Sequence, residues 1–174
     1  MSMIRRAIVA FVPLLSPEPI TTLRRRFDPL AERVRPHLTL VFPFESTLPA
    51  EPLRQHIAEA VRGLAPFPVR LASVTGHEGA YLFLNVKHGN DALIELHDRL
   101  YTGPLQPYLS REHTFTPHLT IGRLADADAF HAALAVVTAA EIHIDTLIST
   151  VSVYVIEPDG ARPIETKVSL SGEG

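Results

Sequence analysis

Cysteine is absent from the 174 residues, and so is tryptophan. Without a thiol there can be no disulfide scaffold, thiolate metal site or cysteine nucleophile. The same lack suits a reducing compartment, so a cytoplasmic location is expected. Basic excess is missing too. The formal net charge is −3, which provides no global field for holding long nucleic acids, and no high-affinity duplex binding is expected. No long apolar run is present either. The nearest thing to a leader is Arg5-Arg6 followed by the nine residues 7–15. That run is broken by Pro13, is too short to span a bilayer, and lacks a clear small-x-small cleavage site. It reads as a buried first strand, and no membrane association is expected. Glycine-rich phosphate loops and dinucleotide fingerprints are absent, which argues against nucleoside triphosphatases and nicotinamide enzymes.

What remains is a globular composition, 46% hydrophobic and 20% charged, sized for one domain over residues 1–174. Charge is distributed unevenly. Residues 1–36 carry seven arginines against three acidic side chains, read chiefly as solvated helix arginines, with a local anion-facing patch as the other reading.

The pattern along the chain predicts a strand at 4–12 and a helix capped by Ser16-Pro17 that carries Ile20, Leu23 and Phe27 and stops at Asp28-Pro29. A strand at 36–42 and a helix with Leu53, Ile57 and Val61 come next. Residues 67–75 and 79–87 form a hairpin, and a helix capped by Asn90 or Asp91 ends at Gly103-Pro104. A strand at 116–123, a helix starting at Asp126 or Asp128, and strands near 141–145, 149–157 and 162–170 complete the chain. Irregular alternation with frequent hairpins indicates an α+β fold with antiparallel sheet.

Against this background one feature stands out. Pro36-His37-Leu38-Thr39-Leu40 recurs 81 residues later as Pro117-His118-Leu119-Thr120-Ile121. A single His-x-Thr is uninformative, but a second copy of the longer match arises by accident in roughly one such chain in several hundred. On a strand, side chains alternate between faces, so each copy buries aliphatic groups on one side and presents an imidazole beside a hydroxyl on the other. If the two copies face one cleft, two imidazoles and two hydroxyls converge there. A histidine pair can hold one neutral and one protonated ring near neutral pH, one to take a proton and the other to donate it. Threonine hydroxyls can bond non-bridging phosphate oxygens. Acid and base on opposite sides of a phosphorus suit an in-line displacement, and the scheme calls for neither a metal nor an organic cofactor.

These paired motifs, PHLTLVFPF at 36–44 and FTPHLTIGR at 115–123, resemble the two signatures of the two-histidine (2H) phosphoesterase superfamily, which includes 2′-5′ RNA ligase-like proteins and RNA 2′,3′-cyclic phosphodiesterases. The resemblance implies a bilobal α+β fold with pseudo-twofold symmetry, in which two antiparallel sheets carry helices on their outer faces and enclose a central cleft. It makes His37 the proton donor, His118 the proton acceptor, and Thr39 and Thr120 the phosphate-binding hydroxyls. The implied substrate is a small or RNA-terminal phosphoester, a 2′,3′-cyclic phosphate or a 2′-5′ linkage. A non-catalytic nucleotide- or RNA-end-binding module of the same fold is the alternative.

Four further residues are candidates for contacting substrate. Phe44 is weighed evenly between stacking on a base and packing in the core, while Phe42 is assigned to the core. Tyr81, at the hairpin edge, is a candidate stacking residue. Arg123 is a candidate phosphate ligand, although five residues from His118 an ideal strand turns it to the opposite face. Arg111 is a candidate clamp in the connection before the second motif. The seven other histidines show no metal-ligand spacing and are expected on the surface.

Overall fold

The computed structural model describes residues 1–174. Eight strands and four α-helices appear in the order β1 (Ile4–Phe11), α1 (Ile20–Phe27), β2 (His37–Ser46), α2 (Ala50–Ala60), β3 (Phe67–His77), β4 (Tyr81–His88), α3 (Asn90–Leu100), β5 (His118–Arg123), α4 (Ala127–Ala139), β6 (His143–Ile148), β7 (Thr150–Val155) and β8 (Ile164–Ser169), with a 3-10 helix at Gly103–Tyr108. No helix is long and apolar enough to cross a membrane.

All strand pairings are antiparallel, in the order β6-β3-β4-β5-β2-β1-β7-β8. The two sheets implied by the resemblance are four-stranded halves of one sheet, β6-β3-β4-β5 and β2-β1-β7-β8. The halves meet through a single register pair, Leu38 opposite Leu119. In each half the motif strand lies beside one neighbour, β1 beside β2 and β4 beside β5. The chain enters the second half at β3 and returns only with β7 and β8.

Helices cover one face of this sheet. Ile20 and Leu23 of α1, Leu53 and Ile57 of α2, Leu93, Leu96 and Leu100 of α3, and Phe130 and Val137 of α4 share a core with Leu38, Leu40, Leu119 and Ile121. Two of the helices span the seam, since α1 packs on β5 and α3 on β2. Burial on this side thus holds together what one strand pair does not. The opposite face is open and carries a small cluster of Ala7, Val9, Val34 and Tyr154. Covered from both sides, Ala7-Ile8-Val9-Ala10 of β1 is fully buried, which explains the uninterrupted apolar run at the start of the chain.

Helix ends differ in part from expectation. Asp126 caps α4 as expected, its Oδ1 accepting the Ala129 N–H at 2.8 Å, and α1 stops at Asp28. Ser16 does not cap α1, which starts at Ile20 after Pro19 and uses the Glu18 carboxylate to accept the Thr22 N–H. Neither Asn90 nor Asp91 caps α3. Gly89 does, at φ +93°, where a Cβ would lie 2.7 Å from the Pro68 carbonyl oxygen. Asn90 lies inside the helix, where its Nδ2 donates to Val86 O.

Gly122 is the close-approach point between α1 and β5. A Cβ there would sit 2.9 Å from Phe27 Cβ and 3.3 Å from the Phe27 carbonyl oxygen. Gly122→Ala is therefore expected to destabilise the protein by about 1–3 kcal/mol, read as a lowered denaturation midpoint at unchanged slope. Wild-type stability in the variant would show that α1 does not bear on the seam as described.

Candidate active site

The register at the seam places the motif side chains. With Leu38 opposite Leu119 and both leucines in the helix-covered core, alternation turns His37, Thr39, His118 and Thr120 to the open face. Antiparallel pairing then sets His37 across from Thr120 and Thr39 across from His118. The four residues singled out by the repeat are thus brought together, each half-buried. Flanking strands complete the row, with Phe11 opposite His37, Val9 opposite Thr39, Asn85 opposite His118 and Phe83 opposite Thr120.

Both histidines are held the same way. His37 Nδ1 lies 2.7 Å from the Arg35 carbonyl oxygen, and His118 Nδ1 lies 2.7 Å from the Thr116 carbonyl oxygen. A carbonyl only accepts, so Nδ1 carries the proton and Nε2 is the nitrogen left for chemistry. The entry into β2 is braced by a buried arginine. Arg24 donates through Nε and Nη2 to Asp28 Oδ2 at 3.1 and 2.8 Å, and through Nη1 to the Val34 carbonyl at 3.0 Å. This pins the segment that delivers Arg35-Pro36-His37.

The walls around the two rings differ. His37 meets Phe11 and Tyr154 edge-on, at centroid distances of 6.3 and 6.1 Å. That burial pushes its pKa down from 6.5 to about 4, against the pull of the Arg35 carbonyl and with help from the Arg24 charge. His118 stacks face to face on Phe83 at 3.6 Å, and Phe83 stacks on His77 at 5.0 Å. Its pKa is also lowered, by burial first and by the His77 charge in addition, while the Thr116 carbonyl opposes the shift. Burial raises the Tyr154 phenol pKa as well.

Strand bulges decide the remaining candidates. On β5, Phe83 pairs with Thr120 but Leu82 with Gly122, so Ile121 and Gly122 together oppose one step of β4. The extra residue reverses parity. Arg123, expected on the far face, lies opposite Tyr81 on the histidine face, with its Cζ 5.4 Å from the Tyr81 ring centroid. On β2 the corresponding step doubles Leu40 and Val41 against Ile8, and a second irregularity intervenes before Phe44. Phe42 is consequently 48% exposed, against its assignment to the core. Phe44 is 4% exposed, packs 5.1 Å from Tyr108 and belongs to the helix-side core, which removes it as a stacking candidate. Arg111 sits in the exposed connection after the 3-10 helix and makes no ion pair or hydrogen bond.

Sequence reasoning passed over Phe11, Phe83, Asn85 and Tyr154. Phe83 and Asn85 share the strand parity of Tyr81, a signal that was available; Tyr154 and Phe11 reach His37 only through strand pairing between distant segments. His97, expected on the surface, is buried and stacks on Phe115 at 3.9 Å. His77, though exposed, belongs to the ring stack beside His118.

The fold is shared with known proteins. The chain belongs to the 2′-5′ RNA ligase superfamily, whose family model matches residues 11–160. A protein of Bacillus cytotoxicus named "Putative phosphoesterase" is 32% identical over 127 residues, 70% of this chain and 71% of the relative. One of the same name from Halalkalibacterium halodurans is 33% identical over 105 residues, and the chain spans 58% of its length. Among solved structures, E. coli LigT complexed with 3′-AMP superposes with a TM-score of 0.70 at 17% identity, covering 97% of this chain and 99% of that one. LigT in its apo form gives 0.67. At that identity the likeness establishes the fold.

The depressed pKa of His37 links protonation to folding. The unfolded imidazole takes its proton near 6.5, the folded one only near 4. Stability is therefore full above pH 6.5 and is lost as pH falls toward 4, on the order of 2 kcal/mol after allowing for the part of the ring open to water. His37→Gln is expected to flatten the fall in denaturation midpoint between pH 6.5 and 4. A wild-type slope in the variant, or a His37 ring that titrates at 6.5 by NMR, would contradict the burial argument.

Proposed function

We propose that the chain is a phosphoesterase that opens 2′,3′-cyclic phosphates on RNA ends or small cyclic nucleotides, or acts on 2′-5′ linkages, by two-histidine acid–base catalysis. Residues 1–174 act in this reading as one working unit, to which each half contributes one His-x-Thr strand. The observation that carries it is the seam itself, where two identically held imidazoles and two threonine hydroxyls share one face. Names of relatives point the same way, since they are phosphoesterases in name. The nucleoside phosphate named in the LigT complex is of the right size and class.

In hydrolysis, water attacks phosphorus and gives its proton to one Nε2. The bond to the opposite ribose oxygen breaks, and that oxygen takes a proton from the other Nε2. Family resemblance assigns the first role to His118 and the second to His37. Thr39 and Thr120 donate to the non-bridging oxygens as negative charge builds. The four side chains supply both proton transfers and charge stabilisation, so the reaction as written needs no metal. In this reading Tyr81 and Arg123, neighbours on the histidine face, contact the nucleoside or its phosphate.

Both imidazoles are neutral in the empty site at pH 7, because both pKa values are lowered. A bound phosphate favours the charged ring and raises them. The expected kcat/KM profile is bell-shaped with its optimum below pH 6.5, and the kcat profile lies at higher pH. His37→Ala and His118→Ala should each lower kcat by about 10²–10⁴-fold on nucleoside 2′,3′-cyclic monophosphates or cyclic-phosphate-ended RNA, in EDTA, with unchanged circular dichroism. A rate rising monotonically from pH 5 to 9, or equal residual activity in both variants and wild type, would overturn the mechanism. Tight binding of these ligands without product would assign the chain to the nucleotide-binding alternative.

A further inference from the structure

The two ends of the cleft differ in charge. At the His37 end, Arg35 holds its Cζ 4.3 Å from the centroid of Phe11, the ring that meets His37 edge-on. Arg162 holds its Cζ 6.0 Å from the centroid of Tyr154, the other ring against His37. Arg33 lies over the same β7–β8 turn that carries Arg162, since a Cβ at Gly160 would be 3.7 Å from Arg33 Cζ. Arg35 and Arg162 thus each sit against a ring that meets His37, and Arg33 lies beside the turn that carries Arg162. At the His118 end the rings are His77, Phe83 and Tyr81, with Arg123 alone beside them.

None of the three arginines has a carboxylate partner, although most other arginines do. The acids nearby in sequence are turned elsewhere. Asp159 Oδ1 accepts the Ala161 N–H at 2.9 Å, and Glu157 lines a separate concavity with Arg5, Glu45 and Glu165. Arg162 is also held in place, with Nη1 donating to the Gly160 and Ala161 carbonyls at 2.8 and 3.3 Å. Its Nε, by contrast, is buried without any partner. A buried donor left unpaired is unfavourable, although the Arg162 side chain also hydrogen-bonds the Tyr154 phenol. Guanidinium groups without a carboxylate partner are suited to a phosphate, which they bind with charge and paired N–H groups together.

We infer that Arg35, Arg162 and Arg33 form a second phosphate subsite at the His37 end of the cleft. The substrate class is then a cyclic phosphoester bearing another phosphate on the same nucleoside, as the terminal nucleotide of an RNA or a nucleotide with a 5′-phosphate does. The substrate assignment rests on the phosphoesterase reading; the anion subsite does not.

The experiment separates the two. Calorimetry compares adenosine 3′,5′-bisphosphate with adenosine 3′-monophosphate, and kinetics compare adenosine 2′,3′-cyclic phosphate with and without a 5′-phosphate and within a dinucleotide. The bisphosphate is expected to bind about tenfold or more tightly. That ratio should fall toward one in Arg35→Gln and Arg162→Gln and persist in Arg54→Gln, whose arginine pairs with Glu51 on α2. Arg33→Gln, on an exposed side chain, reports the same loss if Arg162→Gln disturbs its turn. A preference shown by the 5′-phosphorylated mononucleotide and the dinucleotide alike marks the phosphate itself as the feature read. Equal affinities in wild type, or a ratio unchanged in all three variants, overturns the subsite. A binding preference with no turnover of any substrate keeps the subsite and defeats the phosphoesterase reading.

Discussion

The cleft depends on how two strands meet at one point. β2 and β5 share a single register pair, Leu38 with Leu119, and this pair sets which side chains look out and which look in. So short a run of strand hydrogen bonding lends the seam little rigidity. Rigidity comes from behind, where α1 packs on β5 and α3 on β2, so separating the halves would expose leucines from both. Gly122 permits the close approach of α1. The buried Arg24–Asp28 pair carries the bracing from α1 into the segment that leads to His37. Taking that pair apart would leave a buried charge without its partner, which is far more unfavourable than never having had the pair.

Pseudosymmetry in the backbone does not make the two histidines equivalent. Each donates Nδ1–H to the carbonyl two residues earlier at the same 2.7 Å, so their tautomers agree. Their surroundings do not. Edges of Phe11 and Tyr154 close around His37, whereas His118 lies flat on Phe83 with His77 beyond. Desolvation acts on both, and the neighbouring group whose charge would add to it differs in each case, Arg24 for one and His77 for the other. A site built this way holds neutral rings until an anion arrives, which couples proton affinity to ligand charge. The guanidinium groups at the His37 end extend the same asymmetry to recognition.

Strand bulges decide which other side chains reach the histidine face. Corresponding steps in the two motif strands, Leu40-Val41 and Ile121-Gly122, each place two residues against one on the neighbouring strand. Leu40, Val41 and Ile121 all stay in the core, and each bulge reverses the facing of the residues beyond it. Arg123 thereby joins Tyr81, while on β2 the second irregularity sends Phe44 back into the core and leaves Phe42 outside. The spacing of 81 residues therefore repeats a distortion of the strand as well as a set of side chains.

The α+β class, most element positions and the four-residue constellation were legible in the sequence, because they rest on local signals: alternation within a strand, helical spacing of leucines, and a repeated pentapeptide. The paired motif needed no contact map to be read, since strand alternation alone puts each imidazole beside its hydroxyl. Parity beyond a bulge is not legible, since a bulge is set by the partner strand, and so alternation alone puts Arg123 on the wrong face, sends Phe42 to the core and does not decide Phe44. The joining of the two halves into one sheet was equally out of reach, as was the approach of Tyr154 to His37 across more than a hundred residues of chain. Side-chain alternation is a property of one strand. Register, burial and proton affinity belong to the strands and helices that surround it, and only the folded chain brings those together.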